Sequence, residues 1–101
     1  VYAKENDAAS TYIDPAVECV NSLISDGCDI QGNVRNSIIF RGVKVEKGAC
    51  VENCILFKDT VVKAGATVRN VIADKNVVFS ANTSMMGHEH YPLVLGRGSE
   101  V

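Results

Sequence analysis

The sequence has no basic run, no acidic tail and no long apolar segment. Its 101 residues hold 10 Lys and Arg against 12 Asp and Glu, a net charge of −2 at pH 7. Because no row of cations is long enough to follow a phosphate backbone, we expect no nucleic acid binding. Apolar segments such as residues 77–79 fall far short of the roughly 20 residues that cross a membrane, and no secretory signal opens the chain. These absences predict a single soluble, cytoplasmic domain.

The motifs of common enzymes are also missing. The sequence contains no Ser-His-Asp arrangement, no Gly-rich loop that would cradle a phosphate and no carboxylate pair for acid–base catalysis. We therefore expect no catalytic residue, no cofactor site and no metal site in this chain. The first residue is Val1 rather than Met, which suggests a piece of a longer protein.

The four cysteines do not form a metal-binding pattern. A structural zinc site needs four converging ligands, usually from two close pairs, and Cys50 and Cys54 have no second pair to match them. Cys19 and Cys28 stand alone, and each of the four occupies a different position of the repeat described next. We interpret all four as small, reduced residues of a cytosolic protein.

What the chain does have is a repeat. Asn21, Asn36, Asn53 and Asn70 follow one another at intervals of 15, 17 and 17 residues, and the first unit is two residues shorter than the others. Aligning the units on these Asn residues gives four largely apolar columns. The columns are Cys19, Val34, Val51 and Val68; Leu23, Ile38, Ile55 and Ile72; Cys28, Val43, Thr60 and Val77; and Ile30, Val45, Val62 and Phe79.

A fixed short period is typical of a solenoid, because each unit needs a neighbour to bury its apolar side. Three short β-rich runs per unit, separated by Gly, Asn or charged turns, predict a coil with three flat sides. We therefore predict an all-β fold, a parallel β-helix with all four columns stacked inside it. Each repeated Asn should lie at a corner with positive φ, hydrogen-bonded to the next Asn. A β-sandwich with coincidental spacing is the alternative.

The handedness and the domain limits rest on finer features. An aliphatic residue every six positions, as in residues 45–51 and 62–68, resembles the hexapeptide pattern of the left-handed parallel β-helix. The left hand follows from this resemblance alone, since general crossover rules favour the right hand. We expect residues 1–16 to form a lead-in strand or arm and residues 17–101 the left-handed β-helix domain. Within that domain, an irregular loop is expected at residues 80–92.

Two histidines, His88 and His90, are candidates for chemistry. Hexapeptide-repeat acyltransferases use one His as a general base, and related carbonic anhydrases bind zinc through three His residues across a subunit boundary. Two His residues in one loop cannot supply three ligands within one chain. An ordinary exposed loop is the simplest interpretation.

Three arginines are candidates for an effector or contact edge. Arg35 and Arg69 flank equivalent corners and, with Arg41 and nearby lysines, form a weakly basic edge. Glu52 lies between Arg35 and Arg69 in the repeat. The alternation also predicts an ion-pair ladder on a solvated side, in which each pair contributes little.

Several motifs together resemble the C-terminal β-helix domain of glucose-1-phosphate adenylyltransferase, also called ADP-glucose pyrophosphorylase. They are NSLISDGC at residues 21–28, NSII at 36–39, GACV at 48–51 and DKNVV at 74–78, and the resemblance covers roughly residues 13–101. The segments SIIFRGVKV at 37–45 and YPLVLGRG at 91–98 are more similar to the regulatory paralogue found beside the catalytic subunit in some bacteria, often called a glycogen biosynthesis protein.

This resemblance implies an N-terminal nucleotidyltransferase domain that joins ATP to glucose 1-phosphate, yielding ADP-glucose and pyrophosphate for glycogen synthesis. None of that domain is in this chain. For the chain itself, the resemblance implies allosteric regulation and oligomerisation. Its partners would be its own nucleotidyltransferase domain and a catalytic subunit, in a homo- or hetero-oligomer. A small hexapeptide acyltransferase and a structural β-helix adaptor are the alternatives.

Overall fold

The computed structural model describes residues 2–3, 11–88 and 90–101. These ranges contain sixteen short β-strands and no helix. In chain order the strands are β1 Tyr2–Ala3, β2 Tyr12–Ile13, β3 Cys19–Val20, β4 Leu23–Ile24, β5 Asp29–Ile30, β6 Asn33–Arg35, β7 Ile38–Ile39, β8 Lys44–Val45, β9 Cys50–Glu52, β10 Ile55–Leu56, β11 Val61–Val62, β12 Thr67–Arg69, β13 Val71–Ala73, β14 Val78–Phe79, β15 Ser84–Met86 and β16 Leu93–Leu95.

The strands wind into a three-sided coil, and each pairs in parallel with its equivalents in the neighbouring coils. Sheet A contains β1, β4, β7, β10, β13 and β16, sheet B contains β2, β5, β8, β11 and β14, and sheet C contains β3, β6, β9, β12 and β15. Ile38 pairs with Leu23 of the preceding coil and with Ile55 of the next. The columns identified in the sequence are therefore in register, and the predicted parallel β-helix is confirmed.

Residues with positive φ close all three corners of the coil. Between sheets C and A the corner residue is the repeated Asn, whose φ lies between 48° and 56° in all four units. Asn adopts this conformation more readily than other non-Gly residues. Nδ2 of Asn21 donates to Oδ1 of Asn36 at 2.8 Å, and Nδ2 of Asn53 donates to Oδ1 of Asn70 at 3.1 Å. The predicted positive φ is confirmed at all four corners, and the predicted Asn–Asn hydrogen bond in two of the three steps between them. The other two corners are closed by Gly27, Gly42, Asp59, Asn76 and Gly98, and by Gly48, Gly65 and Asn82.

The interior consists of stacked, mostly aliphatic side chains. Three of the four predicted columns line it, and Val34, Val51 and Val68 are no more than 1% exposed. The largest fully buried side chain is Phe79. Thr60 is the one hydroxyl in these columns, and its Oγ1 donates to the carbonyl of Asp74 at 3.1 Å. A buried hydroxyl needs such a hydrogen-bond partner, so Thr60 can occupy the column without leaving an unpaired polar group in the core.

The prediction was wrong for the column Leu23, Ile38, Ile55 and Ile72. Leu23 is 51% exposed and Ile38 37%, whereas the residues on either side of each are buried. The inner side of sheet A is lined instead by Ser22, Ser37, Cys54 and Val71, and by Ile24, Ile39, Leu56 and Ala73. Successive side chains of a strand point to opposite faces, and here both faces are largely apolar next to the corner. Composition alone therefore could not tell the inner column from the outer one.

Burial keeps the thiol of Cys54 protonated. Its Sγ donates to the carbonyl of Glu52 at 3.1 Å, and burial raises the pKa of Cys54 from 9.0 to about 11. Because the pKa is higher in the folded than in the unfolded chain, this thiol's contribution to stability is complete below pH 9.0 and is lost as the pH rises from there through about 11. We expect the free energy of unfolding, measured with urea, to fall by up to about 2–3 kcal/mol over this window.

A matched variant tests this assignment. Cys54→Val copies Val71, which occupies the same column in the next coil, so it should fold and lose less stability at alkaline pH. Some decrease should remain, because burial also raises the pKa of Cys28. If both proteins lose stability equally between pH 9.0 and about 11, other groups cause the loss.

The first coil is tighter than the rest. Only Gln31 and Gly32 connect sheets B and C there, where the next coil uses four residues, 46–49. The backbone of Gly32 lies directly against this longer segment. A Cβ atom on Gly32 would come within 2.5 Å of the carbonyl oxygen of Ala49 and 2.8 Å of that of Glu46. Glycine is therefore required here by the close approach of two backbones.

Both ends of the chain depart from the regular repeat. Strands β1 and β2 fall in the expected lead-in of residues 1–16 and extend sheets A and B; residues 1 and 4–10 of that lead-in lie outside the described residues. At the other end β15 continues sheet C, residues 87–88 and 90–92 leave the coil, and β16 returns to sheet A. His88 and Tyr91 close the loop through two backbone hydrogen bonds of 3.0 and 3.1 Å.

Candidate functional site

Sheet C carries a shallow depression of about 290 Å³ that two of the candidate residues line. Arg35 and Arg69 stand in one outward column with Glu52 between them, because β6, β9 and β12 pair in that register. The depression therefore brings together the two arginines that the repeat predicted to be neighbours. Its floor includes Val51 and Val68, and Cys50 contributes an exposed free thiol.

The charges in this depression are balanced. Nη2 of Arg35 lies 2.9 Å from Oε1 of Glu18, and Nε of Arg69 lies 3.2 Å from Oε1 of Glu52. The hydrogen bond to Glu18, and then its charge, raise the pKa of Arg35. All four side chains are between a third and two thirds exposed, so each pair is weak. The ion-pair ladder predicted from the sequence is present in part, because Arg69 pairs with Glu52 while Arg35 pairs with Glu18 of the preceding coil.

Arg41 lies elsewhere, at the corner between sheets A and B. This corner presents one exposed cation on each of four successive coils, and we call these residues the cation row: Arg41, Lys58, Lys75 and Arg97. The coils are stacked at this corner by backbone hydrogen bonds of 3.0 to 3.1 Å. Their donors are the N–H groups of Asp59, Asn76 and Gly98, and their acceptors are the carbonyls of Arg41, Lys58 and Lys75 in the preceding coils. The repeat interval could have predicted Lys75, which follows Lys58 by 17 residues. Arg97 follows the irregular loop, where the interval fails.

Carboxylates lie close to the cation row without pairing with it. Asp59 and Asp74 occupy the columns on either side, and Asp74 Oδ1 accepts a hydrogen bond from the backbone N–H of Lys75 at 2.7 Å. Asp26 occupies the position equivalent to Arg41 in the preceding coil. Within residues 11–88 and 90–101, the ion pairs are those of Arg35 and Arg69 alone. The cation row is thus the less neutralised of the two basic regions.

The two histidines are exposed on the loop after β15. Their rings lie 5.5 Å apart, and the backbone N–H of His90 donates to Nδ1 of His88 at 3.1 Å. In the part of the chain that the structure describes, no group of three or more His, Cys, Asp or Glu side chains is placed to hold a metal ion. The same residues include no helix long and apolar enough to cross a bilayer.

The outer side of sheet A is the most apolar surface of the coil. We call its central column the outer aliphatic row: Leu23, Ile38, Ile55, Ile72 and Val94. Phe40 and Phe57 border it on the side of the cation row, with ring centroids 4.7 Å apart. Four of these residues form a column in the sequence that was predicted to lie in the interior, so the outer aliphatic row was not predicted as a surface.

Comparison with known proteins places these features in a family. The family model described as "GlmU-like, C-terminal hexapeptide" matches residues 8–91. Glucose-1-phosphate adenylyltransferase of Geobacillus stearothermophilus is 36% identical over 52 residues, which are 52% of this chain and 13% of that protein. The Thermotoga maritima protein of the same name is 44% identical over 41 residues, 41% of this chain and 10% of the relative. Glycogen biosynthesis protein GlgD of Geobacillus stearothermophilus is 41% identical over 51 residues, 50% of this chain and 15% of the relative.

The matches therefore span 10–15% of the length of these curated relatives. No solved structure matches the chain significantly. The family model covers most of the residues that form the stacked coils, including the repeated Asn corners and the three buried columns. With its hexapeptide repeat and its three parallel sheets, the chain belongs to the GlmU-like C-terminal hexapeptide family.

Proposed function

We propose that this chain is the C-terminal β-helix domain of a glucose-1-phosphate adenylyltransferase subunit in glycogen biosynthesis, with a regulatory and oligomerising role. The observation that carries the proposal is that two kinds of relatives, named glucose-1-phosphate adenylyltransferase and glycogen biosynthesis protein GlgD, each match about half of the chain at 36–41% identity. In this proposal the reaction of ATP with glucose 1-phosphate belongs to a separate nucleotidyltransferase domain, and that domain and a catalytic subunit are the partners.

The physical properties of the coil support a role in subunit contact and in relaying effector binding to another domain. Three parallel sheets share one continuous core, so the domain moves as a rigid body and offers flat sides to other domains. In the described residues the titratable groups with a raised pKa are Arg35 and three cysteines that burial removes from water. None of these has the partner groups of a general base or an activated nucleophile.

Effector binding is the finer part of the proposal. The expected residues, Arg35, Arg41 and Arg69, fall into two regions, and the cation row of Arg41 has more uncompensated charge than the depression on sheet C. An anionic effector there would regulate only if it bound two domain arrangements with different affinity. We expect Arg41→Ala to weaken effector binding, measured by calorimetry with phosphate and sugar phosphates on the full-length subunit. Arg35→Ala with Arg69→Ala is the control, because both arginines are already paired.

The experiment that tests the main proposal uses the complete reading frame containing this chain. We expect the purified product to release pyrophosphate from ATP and glucose 1-phosphate, or to change the activity of a co-expressed catalytic subunit. Disrupting the coil with Val51→Asp should remove that response, and Glu52→Ala should not. A product that neither reacts nor alters a catalytic subunit would refute the proposal. Acetyl transfer from acetyl-coenzyme A that is lost in His88→Ala or His90→Ala would instead favour the acyltransferase alternative.

A further inference from the structure

Sheet C ends one coil before the other two sheets. Beyond β13, sheet A continues with β16. Beyond β14, sheet B continues with residues 99–101, where Glu100 bridges Val78 and the N–H of Val101 donates to the carbonyl of Val78 at 2.9 Å. Beyond β15, sheet C has no further strand in the part of the chain that the structure describes. The last coil therefore has two of its three sides, and we call the vacant third side above β15 the step.

The core is incompletely covered at the step. Met85 belongs to the same inward column as Val51 and Val68, and both valines are 1% exposed because a coil covers them on either side. Met85 has such a coil below it only, and it is only partly buried. In a solenoid each coil buries the apolar side of its neighbour, so the last coil needs a covering at its end. At the step this covering is missing from the described residues.

The backbone at the top of β15 has unused hydrogen-bonding groups. In β12 the N–H of Thr67 donates to the next coil and the carbonyl of Arg69 accepts from it, both at 2.8 Å. Ser84 and Met86 occupy the same positions in β15. Among the described residues, no coil lies above the N–H of Ser84 or the carbonyl of Met86. Such an unpaired strand edge is a template for one more strand.

We propose that the step is a strand-addition site, at which an extended segment of a partner polypeptide adds to β15 as a further parallel strand of sheet C. The site itself specifies this partner, because its hydrogen bonds require an extended backbone and one strand spacing is about 4.8 Å. A second copy of the chain does not fit, since its strands of sheet C are already paired within its own coil. The inference goes beyond the proposed function, which assigns no partner to this end of the coil.

The columns of sheet C define the side chains of the segment that fits. The column of Ser84 contains small side chains, that of Met85 contains valines, and that of Met86 contains charged side chains. Their members are Asn33, Cys50 and Thr67; Val34, Val51 and Val68; and Arg35, Glu52 and Arg69. The partner segment should therefore carry a small polar, a small aliphatic and a long polar residue in succession. A charge at the middle position would be buried against Met85, at a large cost in free energy.

A peptide with the sequence of residues 63–70, KAGATVRN, is the probe, because it contains β12 and has this pattern. Added to the full 101-residue chain, it should bind with a dissociation constant near 1 mM, since so short a strand buries little area. At a peptide concentration five times this constant, amide exchange at Ser84, followed by NMR, should slow about sixfold. The N–H of Gly87 already donates to the preceding coil, so its exchange should change less. The peptide KAGATDRN is the matched control and should bind at least about tenfold more weakly.

Two substitutions in β15 test the same contact from the other side. Ser84→Pro removes the free N–H and places a ring in the path of the added strand, and the chain should still fold because proline is tolerated at such an edge. It should raise the dissociation constant of KAGATVRN about tenfold or more, whereas Ser84→Ala, which keeps the N–H, should change it less than about threefold. Thermal melts confirm that both variants fold. Equal binding by the two variants, or by the two peptides, would overturn the proposal.

The product of the complete reading frame containing this chain distinguishes a partner's strand from one supplied by the same polypeptide. We expect the amide of Ser84 to exchange as fast in that product as in the 101-residue chain, which leaves the step open to a partner. Protection of Ser84 in the purified product alone would show that the step is already filled, and the proposal would be wrong. None of these measurements depends on pyrophosphate release, so this inference and the proposed function can fail separately.

Discussion

Val51→Asp should leave the chain unfolded at room temperature. Val51 is 1% exposed, and it pairs with Val34 below and Val68 above in the centre of the core. A carboxylate there has no cation and no water, and burying it unpaired costs several kcal/mol. Because a domain of this size is stable by only about 5–15 kcal/mol, the loss approaches the whole margin. Circular dichroism and a urea titration would show the change.

Two neighbouring substitutions serve as controls for this prediction. Glu52→Ala removes an exposed ion pair with Arg69 and should change stability by less than about 1 kcal/mol. Ile55→Asp is the more informative control, because sequence analysis assigned Ile55 to the core and the structure places it on the outer side of sheet A. Its Asp can remain hydrated, so the monomer should still fold. Unfolding of Ile55→Asp comparable to that of Val51→Asp would contradict the structural assignment of this column.

Gly32→Ala should destabilise the chain by about 3 kcal/mol, because the added Cβ overlaps backbone rather than a movable side chain. The nearest atoms are the carbonyl oxygens of Ala49 and Glu46. The carbonyl of Ala49 also accepts a hydrogen bond from the N–H of Asn33 at 2.9 Å, so it cannot move away without losing that bond. For a domain of this length the melting temperature should fall by roughly 12–24 °C.

Gly96→Ala is the matched control for this substitution. A Cβ on Gly96 meets no atom within 4 Å, so the change should alter stability by less than about 0.5 kcal/mol. If Gly32→Ala is also tolerated, the short first coil must be able to shift away from the second coil. The stacking of these coils would then be looser than the structure indicates.

The repeat in the sequence was sufficient to predict the coil, its corners and most of its core. Asn36 and Asn53 could be placed at corners because Asn adopts positive φ at a low cost, and Val34 and Val51 could be stacked because their interval is constant. Ile38 could not be placed correctly, since Ile39 beside it is equally apolar and only the direction of the strand out of the corner decides which faces inward. Close approaches such as that at Gly32 depend on three-dimensional stacking, for which one sequence contains no direct signal.

The candidate site was less predictable than the fold. The interval placed Arg35 and Arg69 in one column, and the strand register puts Glu52 between them. It gave no information on which columns share a corner of the coil, so Arg41 was grouped with residues on a different side. Of the other members of the cation row, Lys58 and Lys75 follow Arg41 at the repeat interval, whereas Arg97 lies beyond the irregular loop, where the interval fails.

The stacked Asn corners limit how such a protein can change in length. Asn53 and Asn70 are 17 residues apart and share one hydrogen bond across the coils. Deleting a full winding between equivalent Asn residues would bring matching positions together again, whereas deleting a single residue within a strand would turn buried side chains toward water. Adding or removing whole windings therefore changes the length of the coil without disturbing its core. The distance between domains attached at its two ends would change in steps of about 4.8 Å.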